Sequence, residues 1–143
     1  MHLILTMSNT KSIVLAFSSL MVGCIIYLLF RQDILAVHWI GNPKWIEPFR
    51  INIGYDGNLL TYILLYCLPD ALWFFSFLLF EFILYDKSII LCRILLYSTI
   101  AIPFLLETLQ YCKIIGGTFD ILDVISYLTA LLIVLIIEKY EKK

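Results

Sequence analysis

The sequence predicts an all-α, polytopic membrane protein with about four transmembrane helices and a short interfacial loop or helix between the first and second. Three observations carry this expectation. The hydrophobic share is 62% and the mean hydropathy is +0.97, far above the roughly 45–50% apolar content of a soluble domain. Apolar stretches of bilayer-crossing length recur along the chain, and charged residues gather mainly at their ends. A chain of 143 residues cannot hide so much apolar surface in a core, so its outer surface must face lipid.

The first expected span is 13–30. About eighteen residues at ~1.5 Å rise give roughly 27 Å, close to the ~30 Å hydrocarbon thickness. Lys11 and Arg31 flank it. Met21-Val22-Gly23-Cys24 loosely suggests a lipoprotein signal cut before Cys24. The apolar run continues through Ile25 to Phe30, where a lipoprotein turns polar, so the segment is read as a retained span. The second span is 69–85, with Pro69 in its first helical turn, where a proline is tolerated. The preceding 59–68 is also apolar and is expected to lie along the interface or re-enter the membrane. Glu81 lies about one turn before the end of this span, within reach of the boundary.

The third span is 89–107. Arg93 lies one turn in and is placed to snorkel to headgroups, and Pro103 frees the carbonyl of Thr99 and should kink the helix. The fourth is 121–137, ending in a charged tail. Between spans one and two, 34–40 reads as a short helix with Trp39 at the interface, and Trp45 is expected to help rest the loop on the membrane surface. The stretch 49–55 alternates like a strand before the turn at Asp56-Gly57-Asn58. No internal repeat or soluble domain is evident, and residues 1–143 read as one domain.

Orientation follows from the basic residues. With the N-terminus inside, Lys11, Lys87, Arg93, Lys139, Lys142 and Lys143 face the cytoplasm, against Arg31, Lys44, Arg50 and Lys113 outside. Six against four favours a multi-pass protein of the cell membrane with both termini in. A net charge of −1 points to no nucleic-acid partner. Cys24, Cys67, Cys92 and Cys112 are irregularly spaced and only His2 and His38 could join them, so they read as thiols packed as small hydrophobes. They predict no metal site, and no cofactor is expected.

The topology has a chemical consequence. Asp70 opens span two, Glu107 and Gln110 close span three, and Thr118, Asp120 and Asp123 open span four. Whichever way the protein inserts, these groups share one edge of the bilayer. Glu107 and Gln110 are three apart on one helix face, and so are Asp120 and Asp123. Capping accounts for the two aspartates: Asp120 can accept from the first free amides and Asp123 complements the helix dipole. It does not account for Glu107, which sits at a negatively polarised helix end. That carboxylate needs a proton, water, a cation, Lys113 or a neighbouring helix start. Several acids within ~6 Å would repel one another unless a proton or metal ion intervenes.

The stretch Glu107-Thr108-Leu109-Gln110, followed by Gly116-Gly117-Thr118-Phe119-Asp120-Ile121-Leu122-Asp123, resembles the VanZ-like membrane protein family. That family carries Glu-x-x-Gln at the end of one span and a loop ending in Asp-x-x-Asp at the start of the next. The resemblance runs from Pro103 to about Ile137, and Asp70 matches a further acidic position. An arginine common in the family's loop is replaced here by Gly116-Gly117. Ser126 and Tyr127 lie where an asparagine usually follows the aspartates, and Leu131-Leu132-Ile133 stands where the family's last helix is glycine-rich.

The resemblance implies a bacterial inner-membrane protein of the cell envelope. Such a protein would bind or act on a lipid or envelope amphiphile at the outer leaflet through Asp70, Glu107, Gln110, Thr118, Asp120 and Asp123. It implies no catalytic residue. The alternative is a non-catalytic subunit packed against a larger membrane-protein partner. A small ion or solute carrier fits less well, because transporters place their ionisable groups near the midplane. No Gly-x-Ser-x-Gly elbow, P-loop or His-Glu-x-x-His is present. Gly116-Gly117 reads as a tight turn.

Overall fold

A computed structural model describes residues 7–30, 47–49, 51, 58–85 and 89–141. Four long helices dominate it: α1 (Met7–Phe30), α2 (Leu59–Leu84), α3 (Ile90–Tyr111) and α4 (Ile121–Glu141). Each is long and apolar enough to cross a membrane, which makes the chain an all-helical, multi-pass membrane protein. No strand occurs among the described residues. The expected helix at 34–40, the interfacial tryptophans and most of the alternating stretch 49–55 lie outside the described residues. Phe49 itself closes a single 3₁₀ turn, Glu47–Phe49. The amide of Ile51 donates to the carbonyl of Leu29 at 2.8 Å, tying the connection back to the end of α1.

The second helix departs from the sequence expectation. The segment 59–68 is continuous with the span rather than a separate interfacial or re-entrant piece. Asn58 caps its start, accepting from the amide of Leu60 at 3.0 Å. The proline is absorbed by a π-turn at Ile63–Cys67, in which the amide of Leu68 reaches back to the carbonyl of Ile63. A proline lacks the N–H that an α-helix needs and crowds the carbonyl four residues back. A wider turn just before it removes both conflicts without ending the helix. At ~1.5 Å per residue, the 26 residues of α2 span roughly 39 Å. That exceeds the hydrocarbon thickness, so the helix must tilt or stand out of it.

Helix α2 is the centre of the bundle and packs against the other three. Its most extensive partner is α1, which presents Ser12, Ala16 and Ser19, all buried, followed by Gly23 on the same stripe. A side chain on Gly23 would place a Cβ 2.7 Å from Trp73 and 3.2 Å from the Pro69 carbonyl oxygen. Only a bare α-carbon allows this approach, the usual device where helices meet in lipid. The hydroxyl of Ser76 donates to the Ala16 carbonyl oxygen at 2.8 Å across the same seam. Phe17 meets Phe80 edge-on and Tyr27 lies against Trp73.

Ala16, Phe74, Leu78, Leu79, Leu96, Ala130 and Val134 form the core. Deeper along α3, Thr99 donates to Glu81 Oε1 at 2.5 Å. Glu81 is thereby tied to the neighbouring helix α3. Its partner is the residue whose carbonyl Pro103 leaves without an intrahelical donor.

Candidate functional site

Helix α3 ends in a Schellman motif: the amide of Ile114 donates to the Leu109 carbonyl and that of Lys113 to the Gln110 carbonyl, both at 2.9 Å. Lys113 occupies the left-handed position usually given to glycine (φ 57°). The chain then turns through Gly116 and Gly117. Gly117 has φ 123°, and its α-carbon lies so close to the Gln110 amide that a Cβ would sit 2.7 Å from Nε2. The backbone conformation favours glycine there, and an added side chain would also displace the Gln110 amide. This reversal brings the start of α4 back against the end of α3.

Asp120 caps α4, its Oδ1 accepting from the amide of Leu122 at 2.8 Å. Its own amide donates to Glu107 Oε2 at 3.2 Å. In a capping box, an acid three residues into the helix accepts from the amide of the capping residue. Here that role falls to Glu107 on the preceding helix. The position of the carboxylate is thereby explained: it closes a disfavoured helix end but lies against the positively polarised start of α4. Its recorded partner is a neighbouring helix start, not Lys113, which is exposed. Relieved of the capping role, Asp123 faces α2, where the Cys67 sulfur lies within 4.8 Å of its carboxylate. The hydroxyl of Tyr62 donates to Asp120 Oδ2.

These groups surround a cavity of about 490 Å³. Asp70, Glu107, Gln110, Thr118, Asp120 and Asp123, the six residues singled out from the sequence, all line it. Tyr62, Tyr66, Pro103, Leu106, Gly117 and Tyr127 complete the wall. No lysine, arginine or histidine is among them. Glu107 is 7% exposed, and Thr118 lies open at the rim. Tyr62 and Tyr66 stack with centroids 5.1 Å apart. Tyr127 meets Phe74 and Phe104 edge-on at 5.5 and 6.1 Å, so an aromatic cluster lies between the cavity and the core. A second cavity, of about 380 Å³, lies between α2 and α4 and is lined almost wholly by apolar side chains such as Leu72, Phe75 and Ile133.

The tyrosines and Cys67 were not singled out from the sequence. Tyr62, Tyr66 and Asp70 recur every fourth residue, a signal that becomes legible only once α2 is known to begin at Leu59. Cys67 carried no such signal. Its nearness to both aspartates depends on the rotation of α2 about the π-turn.

Fold and site together define a multi-pass helical membrane protein with a carboxylate-lined cavity at one end of its bundle. Comparison of the chain with protein-family models, with curated proteins and with solved structures gives no significant match.

Proposed function

We propose that this protein binds the polar headgroup of a membrane lipid or cell-envelope amphiphile in the cavity between α2, α3 and α4, in the manner implied by its resemblance to VanZ-like proteins. The observation that carries the reading is the concentration of four carboxylates, an amide and three tyrosines around one cavity in a chain otherwise so apolar. In this reading the cavity lies at the outer leaflet of the cell membrane, with both termini in the cytoplasm. Headgroup amines and hydroxyls would donate to Glu107, Asp120 and Asp123, and the tyrosines would stack against the ligand's glycerol or sugar.

The test is complementation of a deletion strain challenged with envelope-active antibiotics and profiled for lipids. Glu107→Gln and the double change Asp120→Asn/Asp123→Asn preserve shape, remove the charge and keep one acceptor oxygen in each side chain. The expected result is failure of both variants to complement at wild-type membrane abundance. Full complementation by both would remove the proposal.

A further inference from the structure

A buried cysteine of α2 lies beside two of the carboxylates that line the cavity. Cys67 is 1% exposed and comes from α2, while Asp120 and Asp123 come from the start of α4. One donor atom from each, a sulfur and two carboxylate oxygens, lie within 4.8 Å of one another. Two further features point to a positive ligand there. Asp123 Oδ1 is enclosed and has no hydrogen-bond partner among the described residues. Glu107, more than nine-tenths buried, lines the same cavity and has Oε2 engaged by the Asp120 amide. Among the described residues no basic side chain lines the cavity to neutralise these groups.

We propose that Cys67, Asp120 and Asp123 bind one divalent transition-metal ion, zinc by preference, whose remaining coordination position faces the cavity. Zinc takes sulfur at ~2.3 Å and carboxylate oxygen at ~2.0–2.2 Å in a tetrahedron, which places ligand atoms roughly 3–4 Å apart. The triad needs to close by about an ångström. A thiolate in the set selects against magnesium and calcium, which take oxygen ligands. Binding releases the Cys67 proton to solvent, and the freed electron pair forms the metal–sulfur bond. Tyr62 stays on Asp120 as an outer hydrogen-bond donor and orients it. The inference rests on the triad and not on the headgroup reading. Metal binding without any lipid phenotype would leave it standing and remove the other.

The experiment is titration of the full chain, purified in mild detergent, with Co²⁺ and then Zn²⁺. The expected result is one Co²⁺ per chain with a thiolate-to-metal charge-transfer band in the near ultraviolet, lost on addition of Zn²⁺. Cys67→Ser abolishes the band and Cys112→Ser keeps it. Tyr62→Phe weakens the metal by about ten- to a hundredfold. Should Cys67→Ser fail to fold, Asp123→Asn serves instead, and the Zn²⁺-dependent rise in Tm of the wild type disappears in it. Absence of the thiolate band in folded wild type, or its survival in Cys67→Ser, overturns the proposal.

Discussion

The seam between α1 and α2 and the meeting point of α2, α3 and α4 use opposite means to join helices in the same apolar solvent. Along the seam, Ser12, Ala16, Ser19 and Gly23 shrink one surface until backbones nearly touch, and Trp73, Ser76 and Phe80 fill what remains. At the other place, tyrosines and carboxylates hold the helix ends apart and leave a cavity of about 490 Å³. Lipid supplies no hydrophobic drive for helices to associate. Close packing is therefore the stabilising term at the seam, and the polar cavity must hold itself together by hydrogen bonds. The lesson is a division of labour: α1 anchors α2, and α2 then presents one polar face to α3 and α4.

The comparison predicts that changes at packed positions cost folding, whereas conservative changes at the cavity cost binding. The largest effect is expected for Leu78→Ala, which empties a fully buried core position. It should lower stability by about 2–5 kcal/mol, read as loss of the thermal transition in detergent. Gly23→Ala follows, at about 1–3 kcal/mol, because the new methyl collides with Trp73 and with the Pro69 carbonyl. A Tm unchanged in Gly23→Ala would mean that α1 does not sit on α2 as described.

At the cavity, Glu107→Ala should cost about 1–3 kcal/mol by leaving the Asp120 amide without its acceptor. Glu107→Gln keeps an acceptor and should leave Tm close to wild type. Equal Tm for the two variants would show that the link between α3 and α4 carries no stability. The smallest effect belongs to Ser76→Ala, which removes one hydroxyl bond across the seam. Bonds of this kind in membranes average about 0.6 kcal/mol, a shift resolved only by paired melts.

How far the site could be read from sequence differs by helix. Glu107, Gln110, Asp120 and Asp123 were legible because a short turn between two spans forces their ends together, whatever the packing. Asp70 was expected at a span start on Pro69; it lies instead well inside α2 (Leu59–Leu84), and it lines the cavity because the helix end above it carries Tyr62 and Tyr66 to the same place. The tyrosines of α2 were not legible, because Pro69 looked like a helix start. Proline in a helix interior is costly unless a local rearrangement accommodates it, and nothing in the flanking residues announces a π-turn. The stripe of small residues on α1 was present in the sequence but has no meaning until a partner helix lies on it.

By itself, then, the sequence determined that the chain is helical, that it is long and apolar enough to cross a membrane four times, and that Glu107 and Gln110 adjoin Asp120 and Asp123 across a short turn. Hydropathy and the connectivity of short turns are local properties, and in lipid every backbone group must be satisfied within its own helix. Only the tertiary structure decided that Leu59–Leu84 is one helix, that Glu107 completes the cap of α4, and that Cys67 meets Asp120 and Asp123. Those depend on the rotation of each helix about its axis. That rotation is set by packing between segments far apart in the chain.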